Sequence, residues 1–80
     1  MPSKTLPQVG ALYEHTRTKK LYRILGVGFH SETLEEVVIY QSQYDDPKFG
    51  SQPIWVRPKA MFIELVEIDG ELLPRFRQIG

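Results

Sequence analysis

Apolar and polar residues alternate in short runs along most of the chain, with turn-forming residues between the runs. A period of two, with β-branched and aromatic side chains at the apolar positions, is typical of short β-strands. The pattern predicts six strands, over residues 9–15, 20–30, 36–44, 54–57, 63–68 and 71–73. Pro58 ends the fourth strand, and we expect residues 58–62 to form one 3₁₀ turn.

Glycine and other turn residues predict where the chain bends. Gly26 and Gly28 interrupt the second strand and indicate a bend or a bulge there. Asp69-Gly70 is the strongest hairpin signal in the chain, because both central positions of a type I′ turn need a positive φ. Residues 45–53 are rich in Asp, Pro and Gly and are expected to form a loop.

Five or six short antiparallel strands in a chain of 80 residues predict a mainly β fold. We expect a single small barrel with at most one or two short helical or 3₁₀ turns, since a two-sheet sandwich needs roughly 100 residues. The barrel is predicted over residues 9–80, after a flexible lead-in over residues 1–8 that contains two prolines. An open sheet that completes its core by dimerising is the alternative, so both a monomer and a homodimer remain open.

The apolar positions of these strands define a predicted core. Its members are Leu12, Leu21, Ile24, Val27, Val37, Ile39, Ile54, Val56, Met61, Phe62, Leu65 and Val66. Because successive strand residues point to opposite faces, this assignment puts Ile54 and Val56 inside and Trp55 on the exposed face.

Composition narrows the functional classes. Ten Lys and Arg balance ten Asp and Glu, so no global charge draws the chain to nucleic acid or to an anionic membrane. The chain has no cysteine, which excludes disulfides and zinc–cysteine sites. No apolar run approaches the roughly 20 residues that span a bilayer, and the first residues lack the apolar stretch of a signal peptide. We therefore expect a cytoplasmic protein with no membrane partner.

Charge is nevertheless segregated along the chain. Residues 1–23 contain five basic side chains and one acidic one, whereas residues 24–47 contain five acidic side chains and no basic one. Arg17, Lys19 and Lys20 lie at the tip of the first predicted hairpin, where they can contact phosphate. An ordinary solvated turn is the other interpretation.

Aromatic side chains and an arginine share faces of two predicted strands. Tyr40 and Tyr44 lie on one face of the third strand, and Trp55 and Arg57 on one face of the fourth. Such surfaces in small barrels stack a nucleobase, a proline ring or a methylammonium. The alternative is that these aromatic residues belong to the core or to cross-strand pairs.

The two histidines are the only other candidates for chemistry. A metal site needs three or four converging ligands, and here at most the two histidines, His15 and His30, and a carboxylate such as Glu32 could serve. Nothing in the sequence requires these side chains to converge. The run His30-Ser31-Glu32-Thr33 has catalytic residue types, but adjacent strand residues cannot form a triad. We predict no catalytic residue, no metal and no cofactor. The histidines are expected to close turns, while His30 and Glu32 stay in the candidate binding set.

Several blocks of the chain, in a fixed order, resemble a known family. They are Gly10-Ala11-Leu12-Tyr13-Glu14-His15, His30-Ser31-Glu32-Thr33, Val38-Ile39-Tyr40, Trp55-Val56-Arg57-Pro58 with Met61-Phe62, and Pro74-Arg75-Phe76. Together they resemble the small bacterial family Domain of Unknown Function 1653, over residues 10–76. The resemblance implies a small SH3-like barrel and implies no activity.

Three functional hypotheses follow, in this order. The first is a non-catalytic binding module that recognises a peptide or partner protein through a surface centred on Tyr40, Trp55 and Arg57. The second is a weak RNA or single-stranded DNA binder that adds the basic tip at residues 17–20. The third is a small-ligand or enzymatic site around the two histidines, which ranks last because a small filled barrel rarely offers a water-excluding cleft.

Overall fold

A computed structural model describes residues 7–80, which form short antiparallel strands and one helical turn. In chain order the elements are β1 (Leu12–His15), β2 (Leu21–Phe29), β3 (Glu36–Ser42), β4 (Asp45–Asp46), β5 (Gly50–Ser51), β6 (Ile54–Pro58), α1 (Lys59–Phe62), β7 (Leu65–Ile68), β8 (Glu71–Pro74) and β9 (Phe76–Gln78). Residues 1–6 of the predicted lead-in lie outside the described residues. The predicted mainly β class, with antiparallel strands, is confirmed.

Five of the strands form the main sheet, in the order β6-β3-β2-β1-β9. Two short hairpins, β4-β5 and β7-β8, stand apart from it. The edge strands β6 and β9 are not hydrogen-bonded to each other in the part of the chain that the structure describes. The sheet is therefore open, and the closed barrel predicted from the sequence is not confirmed.

Two local predictions about backbone geometry are confirmed. The turn between β7 and β8 has Asp69 at φ 53° and Gly70 at φ 84°, the left-handed conformation that a type I′ turn requires. The pairing of β2 with β3 shifts register between Ile24 and Gly26. Such a bulge bends the strand and increases its local twist.

Three features differ from the prediction. The strands β4 and β5 pair with each other within residues 45–53, which were predicted to form a loop. Residues 59–62 form a helical turn whose closing bond runs from the backbone N–H of Ile63 to the carbonyl of Lys59, at 3.0 Å. The strand β9 was not predicted, and it pairs with β1 so that Phe76 lies opposite His15. Without β9 the main sheet would end at β1.

The core is mostly aromatic. Its buried members are Ala11, Tyr13, Ile24, Val38, Tyr40, Phe62 and Phe76. The rings of Phe62 and Phe76 stack with centroids 4.4 Å apart, and Tyr13 and Tyr40 meet Phe62 edge to face. These geometries are the preferred ones for aromatic pairs.

The predicted core is wrong at several positions. Five of its members are exposed: Val27, Ile54, Val56, Met61 and Leu65. Four more are half-buried: Leu12, Leu21, Ile39 and Val66. Only Ile24, Val37 and Phe62 are buried as predicted.

The error on β6 has one physical cause. In the β3–β6 pairing, Trp55 lies opposite Tyr40 and Val56 lies opposite Ile39. Phe62 of α1 and Phe76 of β9 contact the ring of Tyr40, so the aromatic face of the sheet is the inner one. Tyr40, which the predicted core leaves out, is only 4 % exposed, whereas Val56, which the predicted core includes, is 63 % exposed.

Candidate binding pocket

The inner face of the main sheet contains a cavity of about 280 Å³. We call it the aromatic–arginine pocket; its lining residues are His15, Thr18, Lys20, Tyr22, Tyr40, Tyr44, Trp55, Arg57 and Phe76. All five strands of the sheet contribute to this lining. β1 carries His15, β2 carries Tyr22, β3 carries Tyr40, β6 carries Trp55 and Arg57, and β9 carries Phe76. A flat sheet cannot direct residues from both of its edges into one cavity, so the sheet is strongly curled around the pocket.

Side-chain contacts across the pocket show the same curl. The guanidinium carbon of Arg57, on one edge strand, lies 5.6 Å from the ring centroid of Phe76, on the other edge strand. The bulge next to Gly26 lies in the central strand of the sheet, where extra twist brings the two edges toward each other.

Tyrosine and tryptophan form the aromatic wall of the pocket. The hydroxyls of Tyr22 and Tyr44 are hydrogen-bonded at 2.7 Å. Burial is the main cause that raises the pKa of the Tyr22 phenol, and this hydrogen bond is the second cause. Tyr22 therefore stays neutral at physiological pH. The indole N–H of Trp55 donates to Oγ of the buried Ser42 at 2.9 Å. The wall is thus fixed by hydrogen bonds at its polar atoms.

Two cations belong to the pocket and lie over its rings. Nε of Arg57 donates to the hydroxyl of Tyr40 at 3.1 Å, which orients the guanidinium. Nζ of Lys20 lies 4.6 Å from the centroid of Tyr44. No carboxylate is among the lining residues, so the pocket carries net positive charge.

His15 is held in its neutral form. Its Nδ1 accepts a hydrogen bond from the backbone N–H of Thr18 at 3.2 Å, which leaves the ring proton on Nε2. Burial is the largest cause that lowers the pKa of His15, and the charges of Arg75, Arg57 and Arg17 lower it further. The imidazole therefore offers a neutral N–H donor near a group of fixed positive charges.

The structure brings together five members of the sequence-predicted binding set. They are Lys20, Tyr40, Tyr44, Trp55 and Arg57, which all line the pocket. The other two basic residues of the hairpin tip do not line it. Lys19 is exposed in the turn with φ 66°, and Arg17 donates to the carbonyl of Glu67 at 3.3 Å.

His30 and Glu32 lie far from the pocket. β2 separates the two histidines and is nine residues long, roughly 30 Å of extended chain. His30 Nδ1 accepts from the backbone N–H groups of Glu32, at 3.1 Å, and Thr33, at 3.3 Å. Each histidine thus closes a turn through Nδ1, as predicted, and the two do not converge.

Sequence reasoning missed Tyr22, Phe76 and His15 as members of one pocket. Phe76 stands between Arg75 and Arg77, and this alternation with period two is a strand signal. No sequence signal shows that the strand carrying Phe76 returns beside His15, because that contact joins distant parts of the chain.

A second cavity, of about 370 Å³, is mostly apolar and includes Tyr13, Phe62 and Leu65 in its lining. Among residues 7–80, Arg77 is the one charged residue of this lining, and it is paired with Glu14 at 2.8 Å. The described part of the cavity therefore offers no unpaired charge that could orient a polar ligand.

Residues 7–80 contain neither a metal-binding cluster nor a helix that could span a membrane. No group of three or more His, Asp or Glu side chains is placed to hold a metal ion there. None of the helical structure in this range is long and apolar enough to cross a bilayer.

Comparison with known proteins places most of the chain in one family. Residues 11–78 match the model of a family described as protein of unknown function (DUF1653). No curated protein matches the chain, and no solved structure matches it.

Proposed function

The chain belongs to the DUF1653 family of proteins of unknown function, and we propose that it is a non-catalytic binding module. Its ligand is a short peptide segment of a partner protein, which inserts a side chain into the aromatic–arginine pocket. In this proposal the protein acts in the cytoplasm, and its curled sheet is an SH3-like barrel. Side-chain contacts between β6 and β9 take the place of the backbone hydrogen bonds that would close such a barrel.

One observation supports this proposal above the others. Five strands direct aromatic rings and one arginine into a single cavity, and Arg57 is oriented there by the Tyr40 hydroxyl. Aromatic side chains with a few placed polar groups are typical of ligand and peptide sites. A cavity of about 280 Å³ fits one or two residues of a peptide rather than a folded surface.

The single tryptophan makes the pocket directly observable. Trp55 is the only Trp in the chain and lines the pocket, so its fluorescence reports any ligand that enters. The test uses synthetic hexapeptide arrays, with peptides attached through either end, to select binders. Each binder is then titrated against the free protein while Trp55 emission is recorded.

Two matched variants decide the result. Tyr44→Ala removes a ring from the pocket without touching the buried core, whereas Val56→Thr changes the exposed outer face of the sheet. We expect Tyr44→Ala to weaken binding at least tenfold and Val56→Thr to leave it unchanged. The proposal is wrong if neither array yields a binder, or if the outer-face variant loses binding while Tyr44→Ala keeps it.

A further inference from the structure

We propose that the aromatic–arginine pocket selects a carboxylate next to an apolar side chain, the chemistry of a peptide's C-terminal residue. This inference rests on the proposed peptide-binding function and names the group that the pocket recognises. Lys20 and Arg57 face the carboxylate, and the rings of the wall contact the side chain.

Neither cation of the pocket forms a salt bridge within residues 7–80. Elsewhere on the protein Lys59, Arg75 and Arg77 each lie within 3.1 Å of a glutamate oxygen. Lys20 and Arg57 form no such pair, although both line the concave pocket, where Arg57 is half-buried and is oriented by the Tyr40 hydroxyl. An oriented cation in such a site gains most from an anion, because charge-assisted hydrogen bonds are about twice as strong as neutral ones.

The same arrangement disfavours a cationic ligand such as a methylammonium. A ring attracts a cation through its face, but Lys20 already lies over Tyr44 and Arg57 over Phe76. Burial is the main cause that lowers the pKa of His15, and the charges of Arg75, Arg57 and Arg17 add to this effect. The charges around the pocket thus disfavour a positive charge on His15 and would likewise disfavour a positive charge on a ligand.

The surroundings favour one anionic group over a polyanionic strand. β4 carries Asp45 and Asp46 directly after the end of β3. The pKa of Asp46 is lowered by hydrogen bonds from the backbone N–H groups of Lys48 and Phe49, and also by the charge of Lys20. An ionised carboxylate therefore lies close to the cation of the pocket. A nucleic acid carries one phosphate per nucleotide. If one phosphate entered the pocket, the carboxylates of Asp45 and Asp46 would repel the neighbouring phosphates.

The size of the pocket is consistent with a terminal residue. A C-terminal residue carries its carboxylate and its side chain on the same carbon atom, so both fit in about 280 Å³. Internal Asp and Glu carry a carboxylate but need a second residue to supply the apolar group. The shared chemistry is the carboxylate, and the experiment separates these two sources.

The test compares hexapeptides that contain no tryptophan and end in Phe, Leu or Val, as free acids and as amides, with Trp55 fluorescence as the readout. We expect each free acid to bind at least tenfold more tightly than its amide, because the amide lacks one charge-assisted hydrogen bond to the pocket. Arg57→Gln and Lys20→Gln should each reduce this preference. Lys19→Gln, in the same turn but outside the pocket, should keep it.

Other outcomes overturn the inference in distinguishable ways. Equal binding of acid and amide removes carboxylate selection and leaves the peptide-binding function intact. Tight binding of amides with an internal Asp or Glu assigns the carboxylate to a side chain instead of the terminus. Tighter binding of a single-stranded thymidine octamer, falling with salt, makes the ligand a nucleic acid. Absence of any peptide binding overturns both proposals.

Discussion

Arg57 and Phe76 lie on opposite edge strands of the sheet, yet the guanidinium carbon of one is 5.6 Å from the ring centroid of the other. Side chains of the two edge strands therefore meet, although the backbones of these strands form no hydrogen-bonded ladder within residues 7–80. Both residues line the aromatic–arginine pocket, and the contact joins Arg57 to the stacked ring pair of Phe62 and Phe76 in the core.

The inner and outer faces of the sheet should respond differently to the same substitution. Val38 is fully buried and Val56 is 63 % exposed, on adjacent strands. Val38→Thr keeps the shape but buries a hydroxyl, so we expect a cost of about 1–3 kcal/mol in the free energy of unfolding. Val56→Thr should cost less than about 0.5 kcal/mol. Urea titration of both variants measures the difference, and equal costs would mean that the assignment of faces is wrong.

The stacked pair in the core should dominate stability. Phe62 is 1 % exposed and stacks on Phe76, and removing a buried Phe side chain typically costs about 3–5 kcal/mol. Small domains are stable by only about 5–15 kcal/mol in total, so we expect Phe62→Ala to be partly unfolded at 37 °C by circular dichroism. Phe29→Ala is the control, because Phe29 is 68 % exposed. A fully folded Phe62→Ala protein would contradict the proposed core.

His15 should make the protein less stable in mild acid. Burial and the charges of Arg75, Arg57 and Arg17 lower its pKa below the ordinary 6.5. Between that lowered pKa and 6.5, the unfolded chain binds more protons than the folded one. The free energy of unfolding therefore falls as the pH drops through this window, and the contribution is complete only above pH 6.5.

The variant His15→Asn isolates this effect. Its Oδ1 can accept the Thr18 N–H bond that Nδ1 accepts, and it does not titrate. We expect thermal unfolding of this variant to change less between pH 7 and pH 5 than that of the unmodified protein. Val56→Thr, an exposed substitution that removes no titratable group, should retain the original pH dependence. Identical slopes for His15→Asn and the unmodified protein would refute the prediction.

Gly70 is required for its backbone conformation alone. A Cβ atom there would meet no heavy atom within 4 Å, but φ is 84°. Gly70→Ala should therefore lower the free energy of unfolding by about 1–2 kcal/mol through strain. Gly28→Ala is the matched control, because its Cβ also meets nothing and its φ is not positive. There we expect no loss, or a gain of about 0.4–1 kcal/mol. Chemical denaturation of both variants gives the comparison.

Local chemistry made part of this fold predictable. The Asp69-Gly70 turn and the bulge beside Gly26 follow from the backbone freedom of single residues. Alternation also placed Trp55 and Arg57 on one face of their strand, as the structure shows. These features need no information about distant parts of the chain.

The choice of the inner face could not be predicted in the same way. The strand β6 alternates between aliphatic Ile54 and Val56 on one side and Trp55 and Arg57 on the other, and hydrophobicity favours the aliphatic pair as core. Packing of Phe62 and Phe76 on the other face reverses this. Because these contacts join residues far apart in the chain, they do not appear in any local pattern, and neither does the pocket.

The pairing of β1 with β9 places Tyr13 opposite Gln78, and most of the sequence separates these two residues. Hairpins between neighbouring strands form quickly, whereas a pair so distant in sequence must first overcome the entropy of closing a long loop. We expect β2, β3 and β6 to associate first and β9 to join last. Phe76 reaches the pocket only in that final step, so the lining of the pocket is complete only after β9 has paired with β1.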